Sequence, residues 1–80
     1  MCLGIPARVT GDAVEHPDLA VAETDGVRRV INIGLLDEPP APGDWVLVHM
    51  GFALMPMSAA EAADAMAALR AEDEAIRETR

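Results

Sequence analysis

Residues 19–33 read LAVAETDGVRRVINI, two β-prone runs on either side of Asp25-Gly26. Asp-Gly is a preferred pair for a two-residue type I′ turn, whose twist matches that of the flanking strands. The predicted cross-strand pairs are Thr24 with Val27, Glu23 with Arg28, Val21 with Val30 and Ala20 with Ile31. This register places opposite charges across from each other, and also two β-branched side chains, and both kinds of pair stabilise a sheet. The segment therefore predicts an antiparallel hairpin with a defined register.

Other β-prone segments lie on both sides of this hairpin. Residues 5–15 are rich in Val and short side chains, with Pro6 near the start and Gly11 at a predicted bend. Residues 44–50, DWVLVHM, are the most β-prone stretch, and residues 52–57 predict a short final strand. The run PPAPG at residues 39–43 predicts a stiff loop between the hairpin and DWVLVHM.

The C-terminal part of the chain predicts a helix. Ser58 and Glu61 have the spacing of a capping box, and no Gly or Pro follows up to about Glu78. Several short strands followed by one helix predict a mainly β fold, a small antiparallel β-barrel with a C-terminal α-helix. An open antiparallel sheet with the helix on one face is the alternative. We expect a single domain over residues 1–80, with residues 1–57 in the barrel and residues 58–80 in the helix.

Composition limits the classes of function. The 80 residues include six Arg, no Lys and fourteen acidic residues, for a net charge of −8. This sign disfavours a protein that coats phosphates, so we expect no nucleic-acid partner. No apolar run reaches the roughly 20 residues of a membrane span, and no secretory signal is visible, so we expect a cytoplasmic protein without a membrane partner. The single cysteine excludes an internal disulfide and a zinc site built from a cysteine cluster.

Cys2 is the first candidate for chemistry. If Met1 is removed, a free amine and a thiol lie on adjacent carbons, a pair that can chelate a soft or borderline metal such as iron. The same thiol could act as a nucleophile. Alternatively, it is a cysteine without a role at a frayed terminus.

His49 is the second candidate. By strand alternation it shares a face with Trp45 and Leu47. A lone histidine on a mostly apolar strand is more often a satisfied core or rim residue than a metal ligand. His16, next to Pro17 in a predicted turn, is interpreted as a solvated loop residue.

Two segments together resemble the HypC/HupF family of hydrogenase maturation chaperones. The chain opens with MCLGIPARV, and residues 43–53 read GDWVLVHMGFA. The family has a Met-Cys start followed by an aliphatic and a small residue and then Ile or Val and Pro. Its later signature is Gly, an acid or Gln, an aromatic residue, then Val-Leu-Val-His-x-Gly-Phe-Ala. The resemblance covers nearly the whole chain, with departures such as Ala7, where the family usually has Gly.

The resemblance implies an OB-like barrel and a role as a scaffold that is not an enzyme. With a HypD-type maturation protein, the family assembles the Fe(CN)2CO unit of nickel–iron hydrogenase and delivers it to the precursor of the large subunit. Carried over to this chain, iron is bound transiently, Cys2 is its thiolate contact and His49 the candidate second contact. The partner-binding residues implied are Cys2, Leu3, Gly4, Ile5 and Pro6.

Three other functions remain open from the sequence. A HupF-type paralogue, which protects the large subunit during maturation, has the same motifs. An enzyme with the N-terminal cysteine as nucleophile is a second class, although no substrate-pocket motif is present. A small OB-like nucleic-acid-binding module is a third, which the charge of −8 and the two aromatic residues disfavour.

Overall fold

Five strands form a closed ring, and one helix follows them. The computed structural model describes the backbone of residues 4–78 and the side chains of residues 4–71. The strands are β1 (Ile5–Val9), β2 (Leu19–Thr24), β3 (Val27–Asn32), β4 (Trp45–His49) and β5 (Phe52–Met57), and the helix is α1 (Ala59–Glu78). The strand order is β1-β2-β3-β5-β4, and β4 pairs with β1 to close the ring. The predicted small β-barrel with a C-terminal helix is confirmed, and the open sheet is excluded.

The β2–β3 hairpin has the predicted register. All four predicted pairs are present, from Thr24 with Val27 to Ala20 with Ile31. Both turn residues have positive φ, 50° at Asp25 and 80° at Gly26, as a type I′ turn requires. The register is therefore set by local turn chemistry.

One pair of strands in the ring is parallel. Four of the five strand pairs are antiparallel, whereas β3 meets β5 in parallel and only at Asn32 and Phe52. The amide of Asn32 also donates a hydrogen bond to the carbonyl of Gly51 at 2.8 Å. The ring is thus closed at this point by a very short contact.

β1 is shorter than the predicted β-prone segment of residues 5–15. The strand ends at Val9 because the next residues form a local turn. The Thr10 hydroxyl donates to Asp12 Oδ2 at 2.7 Å, and the Asp12 amide donates to Thr10 Oγ1 at 3.2 Å. Such side-chain bonds offer the backbone an alternative to the sheet ladder.

Small side chains fill the inside of the barrel. The buried core comprises Ala7, Val9, Ala22, Ile31, Val46 and Ala53. Inward-facing positions of a narrow barrel leave room only for side chains of this size. Part of the Ala content of the sequence is therefore required by packing inside the barrel.

The helix covers the outer face of β1 and β4. Pro6 faces outward, because it alternates with the inward-facing Ala7, and it pairs with Leu47. Pro6 is nevertheless almost fully buried, and so is Ala62 of α1. α1 contacts both strands. Its N-terminus has the predicted capping box: the Ser58 amide donates to Glu61 Oε1 at 2.9 Å, and the Glu61 amide donates to Ser58 Oγ at 3.0 Å. The hydrogen bond from the Ser58 amide, and second the Ser58 side chain, hold the pKa of Glu61 below its ordinary value.

Candidate functional site

The start of β1 and the end of β4 lie side by side. In the ladder between these strands, Ile5 is the partner of Val48 and Pro6 the partner of Leu47. Gly4 directly precedes Ile5 and His49 directly follows Val48, so both residues lie at the same end of the barrel. The strand that bears His49 therefore runs alongside the first strand. Cys2 and Leu3 lie outside the described residues, so their predicted roles stay predictions.

His49 lies on the outer face of the barrel. Val46 is fully buried inside, and Val48 packs against the core, so alternation places Trp45, Leu47 and His49 outside. The three residues share one face, as predicted. The imidazole of His49 is half-buried. Its ring makes no hydrogen bond with the side chains of residues 4–71 and is open to an added partner. The position fits the interpretation of a rim residue.

A strained two-residue turn follows His49. Met50 and Gly51 have φ values of 53° and 84°, and His49 pairs with Phe52 across the turn. A side chain is disfavoured at positive φ, so Met50 carries local strain. The Met50 side chain is 83% exposed, which places a flexible apolar group in solvent beside the imidazole. That Met50 is both strained and exposed was not predicted from the sequence. A signal was present, because a two-residue turn favours Asn or Asp before Gly, and this turn has Met at that position.

Gly51 is required by the backbone conformation of the turn. A Cβ built there meets nothing within 4 Å, so the positive φ is what favours glycine at this position, and not a close approach of another part of the chain. The close approach occurs at Gly4, where a Cβ would lie 2.6 Å from Leu47 Cγ.

Apolar side chains are exposed around this end of the barrel and on the outside of β5. They are Ile5, Val27, Met50, Phe52, Leu54 and Met55. Phe52 is directly across from His49, and Met55 is across from Leu47. Leu54 has no partner on β4, because a bulge shifts the register between Leu47 and Val48. Exposed apolar groups beside a polar one are typical of a protein–protein contact surface.

Among the surface cavities lined by described residues, two are large enough to be considered as sites. One of about 380 Å³ is lined by Ile5 and Met50, among others, and so lies beside the candidate site. The larger, about 520 Å³, lies under the proline-rich loop and is lined by Pro39, Trp45 and Met57. Because it contains neither His49 nor β1, we do not place the site there.

The described residues do not form a metal centre by themselves. No group of three or more His, Cys, Asp or Glu side chains in the described part of the chain could hold an ion. His16 lies in an exposed turn, where its Nδ1 accepts a hydrogen bond from the Asp18 amide at 3.1 Å.

The helix α1 lacks an apolar stretch long enough to cross a bilayer.

The family profile and the similar proteins identify the same family. The profile of the HupF/HypC family matches residues 1–69. The chain is 38% identical to the hydrogenase maturation factor HypC of Rhodobacter capsulatus over 88% of this chain and 76% of that protein. It is 41% identical to the hydrogenase maturation factor HybG of Escherichia coli over 91% of this chain and 93% of that protein. HypC of Azotobacter chroococcum is 42% identical over 86% of this chain and 79% of that protein. These matches show that the chain belongs to the HupF/HypC family.

Proposed function

We propose that this chain is a hydrogenase maturation chaperone that carries the Fe(CN)2CO unit as cargo. It takes up the unit with a HypD-type maturation protein and delivers it to the precursor of the nickel–iron hydrogenase large subunit. Cys2 is the thiolate contact to iron, and His49 is the second contact. The role is one of binding and transfer in the cytoplasm, without a catalytic step of its own.

The pairing of Ile5 with Val48 is the observation that carries this proposal. Cys2 precedes Ile5 by three residues, and a chain of that length spans at most about 11 Å. His49 follows Val48 directly and lies on the outer face. A thiolate and an imidazole within this reach of each other suit one iron atom or one partner surface.

The sequence has one cysteine and two histidines as nitrogen or sulfur ligands for a metal. This small number supports the transfer of a bound iron unit over its long-term storage. The described residues include no three-ligand set, so a bound iron would keep its own cyanide and carbonyl ligands and take others from a partner. A site that is completed only in a complex can release its cargo when the complex changes. The exposed apolar side chains near His49 offer a contact surface for such partners.

Leu3, Gly4, Ile5 and Pro6 support the partner contact in different ways. Ile5 is exposed at the rim and can contact a partner directly. Pro6 is almost fully buried, so its contribution is to fix the backbone at the start of β1. Gly4 allows a close approach of its own backbone to Leu47.

The test is an anaerobic co-purification with a tagged HypD-type protein from a strain that makes the Fe(CN)2CO unit. We expect infrared bands of cyanide and carbon monoxide in the complex with the native chain and their loss with C2A. The H16A variant is the matched control, because His16 lies in a separate exposed turn, and it should retain the bands. A folded C2A variant that carries normal bands would overturn the thiolate role.

A further inference from the structure

Strand β3 has a free edge. It pairs with β2 over its full length, from Val27 to Asn32, but meets β5 only at Asn32. Within residues 4–78, no strand therefore lies beside the edge from Val27 to Ile31. Unpaired edges of this kind are templates for another chain.

The backbone groups that face this edge can be identified. The Asn32 amide donates to Gly51 across the β3–β5 gap, so the backbone groups of Asn32 point away from β2. Along an antiparallel strand, alternate residues point their N–H and C=O groups to the same side. Val30 and Arg28 therefore direct theirs to the free edge. Neither forms a backbone hydrogen bond with a described residue on that side.

An apolar groove runs along the same edge. Its volume is about 380 Å³, and it is lined by Ile5, Val27, Ile31, Val48 and Met50, among others. Arg29 also lines the groove and makes no ion pair within 4 Å with a described carboxylate. The other charged residue of the lining, Asp25, is paired with Arg70 at 2.9 Å. A guanidinium available in an apolar groove is complementary to a carboxylate with apolar neighbours.

We propose that this edge binds an extended peptide segment of a partner protein as an added strand. The segment bonds to the backbone of Arg28 and Val30, places apolar side chains in the groove and presents an Asp or Glu to Arg29. Main-chain bonds give such added strands affinity, and the pockets for side chains give specificity. The groove adjoins the Cys2 and His49 contact and shares Ile5 and Met50 with it, but the inference does not depend on the identity of the cargo.

A second copy of the chain fits the edge less well than an acidic peptide. Antiparallel pairing of two β3 edges would bring the Arg28 and Arg29 side chains of both copies together. Like charges across a strand pair are destabilising. Each copy also has a net charge of −8, which opposes self-association.

The first experiment uses the full chain, labelled with nitrogen-15, and a synthetic peptide. The probe is acetyl-Thr-Val-Thr-Asp-Thr-Val-Thr-amide, whose Val and Asp side chains share one face of an extended strand, and the control peptide has Lys in place of Asp. We expect saturable chemical-shift changes and slowed hydrogen exchange at the amides of Arg28 and Val30. The Lys peptide should bind about tenfold more weakly, because it loses the charge-assisted bond to Arg29. A probe peptide N-methylated at alternate amides should not bind.

Two variants test the contacts separately. R29E should reverse the preference, so that the Lys peptide binds more tightly than the Asp peptide. V30P removes a donor that β2 does not use, so the hairpin keeps its ladder while peptide binding is lost. V30T is the matched control, because it retains the amide. If V30P does not fold, the N-methylated peptide gives the same information on the native chain.

Several results would overturn the proposal. Shift changes confined to the His49 and Phe52 face would place peptide binding on another surface. Concentration-dependent protection of Val30 without peptide would identify a second copy as the occupant. Binding that appears only after residues 1–3 are deleted would show that the chain's own N-terminus occupies the groove. Equal binding of the Asp and Lys peptides would remove Arg29 from the recognition.

Discussion

The Leu47 side chain lies against Gly4 so closely that a Cβ built on Gly4 would be 2.6 Å from Leu47 Cγ and 2.7 Å from Cδ1. Leu47 is on the same outer face as His49 and pairs with Pro6. The absence of a side chain at Gly4 therefore lets its backbone lie directly against Leu47 of β4.

A methyl group at Gly4 should disturb this contact. We expect G4A to lower the free energy of unfolding by about 1–3 kcal/mol, as overpacking does at other close contacts. Urea unfolding measures the loss. In the double variant with L47A the penalty of G4A should largely disappear, because the methyl group then has space. Equal penalties in the two backgrounds would contradict the contact.

Replacing Met50 with Asn should raise the stability of the fold and weaken the contact with a partner protein. Asn tolerates positive φ better than Met, and Asn-Gly is a preferred type I′ pair. We therefore expect M50N to raise the free energy of unfolding by about 1 kcal/mol, the order of the strain at such a position. The same variant should weaken the co-purification with a HypD-type protein, since an exposed apolar side chain is lost. A variant with unchanged stability would show that the turn carries no strain.

The capping box should make part of the helix stability dependent on pH. The pKa of Glu61 is lowered in the folded chain, first by the hydrogen bond from the Ser58 amide and second by the Ser58 side chain. The contribution is therefore present above the unfolded pKa and is lost as pH falls through the folded pKa. E61Q should remove it, so the difference in thermal midpoint between native chain and variant should shrink as the pH falls from about 6 to about 3. Circular dichroism at 222 nm measures this.

The E15Q variant is the control for the capping box. Glu15 is exposed and accepts no hydrogen bond from a described residue, so its substitution should leave the pH profile nearly unchanged. Parallel profiles for E61Q and the native chain would show that the carboxylate does not hold the first turn.

His49 should matter more for cargo than for the fold. Its ring is half-buried on the outer face and has no hydrogen bond to a described side chain, so H49A should change the free energy of unfolding by less than about 1 kcal/mol. We expect the cyanide and carbon monoxide bands of the co-purified complex to weaken clearly. A large loss of stability with normal bands would identify His49 as a packing residue.

Local chemistry made much of the fold predictable. Asp25-Gly26 set the register of the hairpin, and Ser58 with Glu61 set the start of the helix, since each signal acts over four residues or fewer. Alternation along DWVLVHM placed His49 on the same face as Trp45 and Leu47, and the burial of Val46 then showed that this face is the outer one. The family resemblance was also readable from two segments and is confirmed by the comparisons.

Only the tertiary structure shows which strands pair with each other and which residues from distant segments come into contact. The pairing of β1 with β4 does not follow from any local signal, because a long-range ladder depends on closure of the whole ring. The same closure left the edge of β3 free, since β5 reaches β3 only at Asn32. The contact of Gly4 with Leu47 joins residues far apart in the chain, and the strain at Met50 follows from a two-residue turn between β4 and β5. Short-range signals determine strands, turns and caps, whereas which strand edges pair and which surfaces stay open is decided by packing.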